Sequence, residues 1–322
     1  MCHDAGRAAT LVAFIAALAL ASSPIGAAAS SNGLAWDSVT KITINADAAA
    51  LQPGSFDQDY QRAASMQAQD SSGMMAMAER MQAFVQNGFA ERHYVAGSKE
   101  RTDHVADQTA TIVDCAARTI TTLDLRKKTY RVASMDQPAA SNPGAANAGG
   151  SKPSTTDDRS RFAITIANKA LGAREVGGQP TNGFSSDMSF TETKSSGESQ
   201  SYNGDLVGYY SSYLSPAPSC SIFNVASPNR NSPPNAAGVF SMMSTGYSRF
   251  MRALSLAGKD SRFSLKQTGP ALPRDKLALY EAATIGGGRA GGGTIVIERG
   301  NVRPISDDDP VFSVPSDFTR EQ

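Results

Sequence analysis

Apolar and polar positions alternate along most of the chain, and the alternation predicts strands. Trp36, Ile42 and Ile44 fall at even positions and mark a first strand over Trp36–Ile44. After a polar stretch the period changes. Met74, Met77, Met81 and Phe84 are spaced by three, four and three residues, on one face of a helix over Met74–Val85 that Asn87-Gly88 ends. Five short strands follow, at about Phe89–Val95, Lys99–Asp103, Thr109–Cys115, Thr119–Leu125 and Thr129–Ala133. The breaks between them are brief (Gly97-Ser98, Ala116-Ala117, Arg126-Lys127), which predicts an antiparallel meander.

From Asp136 to Arg161 there is no Val, Ile, Leu, Met or aromatic residue, so about 136–161 is expected to be a disordered insertion within one domain. Alternation resumes at Phe162, Ile164 and Ile166, and again at Phe184, Met188 and Phe190. A tyrosine-rich stretch (Tyr202, Tyr209, Tyr210, Tyr213) and an Asn/Pro-rich loop from Ser227 to Ala237 come next. Val239, Met243, Tyr247, Phe250 and Leu254 then recur at helical spacing, with Gly258 as the stop. Strands near Lys276–Ala282, Thr294–Arg299 and Val311–Val314 close the chain. The expected class is mainly β (α+β): a long antiparallel sheet with two amphipathic helices packed on it.

The first 29 residues stand apart. Arg7 precedes an apolar run of 14 residues, Ala8–Ala21, and small residues follow through Ala27-Ala28-Ala29. The run is short of the roughly 20 residues that span a bilayer, and the pattern is that of a cleaved secretory signal. A retained anchor is the rival reading. The remainder, 30–322, is expected to be periplasmic or secreted, with no membrane-spanning segment.

Charge narrows the partners. Lys plus Arg equals Asp plus Glu at 30 each, so nothing favours nucleic acid or an anionic membrane surface. Removal of the signal leaves Cys115 and Cys220, which in an oxidising compartment read either as one disulfide or as two buried thiols.

Catalytic signatures are sparse. His93 and His104 lack HExxH spacing and read as exposed strand and loop residues; a metal set with Asp103 and Asp107 is the weaker alternative. Gly286-Gly287-Gly288-Arg289-Ala290-Gly291 matches G-x-G-x-x-G, but a strand pattern at Thr294–Ile297 follows it where a dinucleotide site requires a helix, so it reads as a hairpin tip. Asp307-Asp308-Asp309 lacks the rest of a calcium loop and reads as a solvated turn. No cofactor and no enzymatic activity are expected.

Four pieces, in order, resemble a bacterial secreted family of unknown function within the periplasmic lipoprotein-carrier (LolA-like) superfamily. They are the Tyr94–Asp103 hairpin with its Arg101-Thr102-Asp103 strand; Thr111-Ile112-Val113-Asp114 leading through Thr121, Leu123 and Asp124 to Lys128–Val132; Ala170-Leu171-Gly172 running to Gly178; and the closing Val311-Phe312-Ser313-Val314-Pro315-Ser316-Asp317-Phe318. The resemblance implies a curved, open half-barrel covered by helices. Long insertions and the lack of a carrier-type arginine motif set this chain apart, so fold is implied and lipoprotein transfer is not.

The expected function is non-enzymatic binding of a lipid or other apolar ligand, with an envelope interaction or sensor module as the alternative. Met side chains adapt to irregular apolar guests or equally fill a core. The expected cavity lining is Trp36, Met77, Met81, Phe84, Ile112, Met188, Phe190, Met243, Tyr247 and Phe250.

Overall fold

A computed structural model describes residues 33–44, 48–66, 82–136, 160–216, 262–273, 275–286 and 293–321. Within these, the strands are β1 (Gly33–Ile44), β2 (Phe89–Ala96), β3 (Lys99–His104), β4 (Thr109–Asp114), β5 (Thr119–Asp124), β6 (Thr129–Ser134), β7 (Arg161–Val176), β8 (Gln179–Thr193), β9 (Ser199–Ser211), β10 (Phe263–Thr268), β11 (Ala278–Gly286), β12 (Gly293–Ile305) and β13 (Thr319–Arg320). They form one open sheet in the order β10-β7-β8-β9-β11-β12-β1-β2-β3-β4-β5-β6-β13. Helix α1 spans Phe56–Ala64.

The meander is a ten-residue repeat. β3, β4, β5 and β6 begin at 99, 109, 119 and 129, and the last three all begin with Thr. Each loop between them ends in a left-handed residue, Gln108, Arg118 and Lys128, at φ 50°, 54° and 55°. That conformation closes a short hairpin without splaying its strands. In two loops an aspartate holds the turn: Asp114 Oδ1 accepts from the Ala117 amide at 2.9 Å, and Asp124 Oδ1 from the Lys127 amide at 2.8 Å.

Three features differ from the sequence expectation. The sheet is mixed, because the edge strands β10 and β13 lie parallel to β7 and β6. Each reaches its partner only after a long stretch of intervening chain, which a parallel pair requires. Second, α1 lies in the stretch read as merely polar; Phe56, Tyr60 and Ala63 recur at helical spacing, with Asp57 and Asp59 in the first turn and Arg62 in the last. Third, Val311–Val314 is not a strand. Pro310 fixes a helical φ, and Asp309 Oδ1 accepts from the Val311 amide at 2.9 Å, so Pro310–Phe312 forms a 3-10 turn.

Residues 82–87 are helical, and the Gly88 amide closes the turn on the Phe84 carbonyl at 2.9 Å with φ 82°. The rest of Met74–Val85, and all of Val239–Leu254, lie outside the described residues. Both ends of the expected insertion are structured: Asp136 pairs with Arg118, Ser160 is buried and Arg161 begins β7. No helix among the described residues is long and apolar enough to cross a membrane.

Strand register sorts the side chains onto two faces. One face carries Val39 and Ala90 under Tyr60 and Ala63 of α1, then Ala35, Tyr94, Ala96 and Ile305 under Phe312, then Ala110, Ile112, Leu123 and Tyr130 beside Val314 and Phe318. The chain's own helix and C-terminal segment therefore cover it. Arg101 pins that segment: its Nη1 donates to the Val311 carbonyl at 2.7 Å, and its Nε lies 2.5 Å from Asp103 Oδ1.

Candidate functional site

The opposite face is differently furnished. Register aligns Ile42 of β1, Ile295 of β12, Ala283 of β11, Leu206 of β9, Ser186 of β8 and Asn168 of β7 in one row across six strands. Bulky side chains crowd both ends. At one end Ile42, Phe84, Phe89, Ile295 and Ile297 cluster, with Phe84 brought in by the helical turn at 82–87. At the other, Ile164, Ile166, Phe190, Phe162, Met188 and Phe263 cluster, the Phe162 ring 4.7 Å from Phe263 and 5.8 Å from Phe190.

Between these walls Ala283, Gly204 and Ser186 are small and share the face with Leu206, while the Tyr210 ring lies over Gly208. Ala283, Gly204 and Leu206 are half-buried. The product is a trough with a low floor and apolar walls. On the reverse side of the same strands Ser185, Asp187, Ser189 and Lys169 alternate with the apolar set, and Lys169 pairs with Asp187 at 3.0 Å in the open.

A polar cluster adjoins the Phe89 wall on the same face. Trp36 stacks on His93, ring centroids 5.3 Å apart and planes 18° from parallel. Ser38 Oγ lies 2.9 Å from His93 Nε2, and Thr102 Oγ1 3.4 Å from its Nδ1. Glu91 reaches both histidines: Oε2 is 3.4 Å from His93 Nε2, and Oε1 is 2.9 Å from His104 Nδ1. Burial pushes the Glu91 carboxyl up, but the contacts with His104 and His93 more than reverse this and hold it at about 2. Burial likewise pushes His104 down, and Glu91 overcomes it, leaving the imidazole above its ordinary range.

Serine, histidine and glutamate together invite comparison with a nucleophilic triad, and the geometry differs from one. Ser38 and Glu91 approach the same ring nitrogen, so the carboxylate does not orient the imidazole from its far side. Ser38 is itself buried.

The histidines were expected to be exposed; they are mostly buried, drawn in by Glu91, a partner two residues from His93 that the sequence reading did not weigh. Asp103 points to the other face, to Arg101, and no group of three or more residues among those described could hold a metal ion. Gly286, the first residue of the G-x-G-x-x-G tract, ends β11, and the rest of the tract lies outside the described residues.

Of the expected lining residues, Trp36, Phe84, Met188 and Phe190 share the trough face. Ile112 does not: it lies on the covered face, in the cluster with Val314 and Phe318. Met77, Met81, Met243, Tyr247 and Phe250 are outside the described residues, as is Cys220.

No family model and no curated protein match the chain. The chain is similar to a LolA superfamily protein. The crystal structure of that protein, from Nitrosomonas europaea, matches 88% of this chain and 91% of its own, at 6% identity and a TM-score of 0.25. It is the superfamily named by the sequence resemblance. At that score the likeness places no residue of the trough, whose geometry rests on the strand register.

Proposed function

We propose that this is an exported, non-enzymatic binding protein whose trough holds a lipid or another apolar ligand. The observation that carries this reading is the small floor of Ala283, Gly204 and Ser186 between two apolar walls, on the face that α1 and the C-terminal segment leave free. An acyl chain laid there would lose water along its length, each buried CH2 contributing about 0.8 kcal/mol. Export is inferred from the short apolar run ending in Ala27-Ala28-Ala29. N-terminal sequencing of the envelope fraction should then begin near Ser30; a full-length cytoplasmic product would contradict it.

The direct test fills the trough. Ala283 is half-buried, so Ala283→Phe projects a ring from the floor without entering the core. The variant should melt as wild type does and lose binding of a fluorescent fatty-acid probe. A wild-type protein that binds no apolar probe would overturn the reading.

An envelope interaction module is the second reading, favoured by the outer edge of β10. Among the described residues β10 is the terminal strand of the sheet, and Leu265 is nearly half exposed, at 46%. An edge of that kind can accept a partner's strand. A saturable protein partner lost on Leu265→Lys, with no lipid bound, would favour it.

A further inference from the structure

We propose that the outer edge of β10 receives an extended peptide segment of alternating apolar and acidic residues, added to the sheet as a further strand. The inference rests on the interaction-module reading above and names the partner's chemistry within it. The backbone comes first. The Phe162 amide donates to the Arg262 carbonyl at 2.8 Å, and β10 runs on from there parallel to β7. Backbone groups alternate sides along a strand, so Ser264, Lys266 and Thr268 turn theirs to β7, and Phe263, Leu265 and Gln267 turn theirs outward. Among the described residues no strand pairs with that outer side. Every residue from Ser264 to Thr268 is exposed, so the edge is open on both faces.

The side chains choose the partner. Register puts Leu265 in one row with Ile164 and Phe190, at the end of the apolar wall. Ile164 and Phe190 are almost fully buried, and Leu265 is the open member of the row. An apolar side chain opposite Leu265 extends the row and takes that surface from water.

The reverse face carries the charge. Lys266 aligns there with Thr165 and Ser189, which are neutral, and it makes no ion pair among the described residues. Asp187, one row along, is engaged by Lys169 at 3.0 Å. Glu192, opposite Phe162, is buried on the other face. Arg161 begins β7 and Arg262 precedes β10, and both add positive charge. Asp157, Asp158 and Asp260 stand near these arginines in the sequence and lie outside the described residues, so the selection is assigned to Lys266, at mid-strand. An acidic residue opposite Lys266 gains a cross-strand pair, and a basic one is repelled. A second copy of β10 fits less well, because antiparallel pairing brings its own Lys266 to the same face of the seam.

The test measures binding of three end-blocked, fluorescein-labelled octapeptides to the protein. One alternates valine with glutamate and one alternates valine with lysine. The third repeats the acidic peptide with every second amide N-methylated, which removes the donors a new strand needs. The acidic peptide should bind saturably, at least about fivefold more tightly than the basic one, as an attractive against a repulsive cross-strand pair implies. The methylated peptide should not bind. Lys266→Glu changes an exposed side chain, so it should melt as wild type does and reverse the preference. Equal binding of the acidic and basic peptides overturns the charge selection and leaves the edge standing as an interaction site. Binding of neither overturns the interaction-module reading and this inference with it. An acidic preference that survives in folded Lys266→Glu, or binding that N-methylation leaves intact, also overturns the assignment.

Discussion

Lys41 of β1 holds Glu298 of β12 at 2.6 Å, in the middle of the sheet and beneath α1. The same ammonium lies 2.5 Å from Asp59 of α1, and Glu298 Oε2 accepts from the Gly54 amide at 3.2 Å. One cation thus fastens the helix and the segment before it to two neighbouring strands. Burial pushes the Lys41 ammonium down, and the two carboxylates more than restore it, so it titrates above its ordinary value.

Removing that cation leaves Glu298, which is almost fully buried, without its partner. Fully buried pairs cost more to break, but Lys41 is 26% exposed, so Lys41→Met is expected to destabilise by about 2–3 kcal/mol. Lys41→Met combined with Glu298→Leu should recover most of the loss. Urea unfolding of the three proteins checks this; a single variant as stable as wild type would contradict it.

The meander turns offer a gain instead of a loss. Gln108 adopts φ 50°, a conformation that disfavours a residue with a Cβ. Gln108→Gly should stabilise the protein by about 0.5–1 kcal/mol, after allowance for the greater freedom of glycine in the unfolded chain. A fall in the melting temperature would show that the side chain contributes more than its strain.

The histidine cluster sets a stability window. The folded Glu91 value of about 2 lies below its ordinary 4.5, so its contribution is complete above pH 4.5 and fades as pH falls toward 2. His104 is shifted the other way, above 6.5, so its contribution is complete below pH 6.5 and fades as pH rises through its folded value. Both are present between about pH 4.5 and 6.5. Glu91→Gln should flatten both limbs of the melting temperature against pH, and an unchanged profile would remove the cluster from the account.

We propose that Cys115 pairs with Cys220. Cys115 is disulfide-bonded, and Cys220 is the other cysteine left once the expected signal is removed. Closing a loop of that length contributes about 4–5 kcal/mol in the chain-entropy view. Non-reducing peptide mapping of the exported protein should recover the linked peptides. Two free thiols would contradict the pairing.

The sheet was largely legible in the sequence because its signals are local. β2 to β6 alternate over six to eight residues and are punctuated by turns, so their bounds fell within a residue or two of those expected. What escaped depends on distance. The parallel edge strands pair residues far apart in sequence, and Phe263–Thr268 is exposed along most of its length, which leaves no alternation to read. The site was legible in part for the same reason. Period two placed Phe190 and Met188 on one side, but nothing local says which side the C-terminal segment covers, and Ile112 lies on the covered one. The link from Glu91 to His104 crosses a hairpin, and glutamate on a strand looks solvated until its partners are known.

The central claim is that the trough face carries an apolar ligand. Native mass spectrometry of the mature protein, released from its own envelope under mild conditions, tests it most directly. The account predicts a species heavier than the polypeptide by an acyl-chain compound, bound near one to one, with the adduct lost in Ala283→Phe. Bare polypeptide that also takes up no added fatty acid would contradict it.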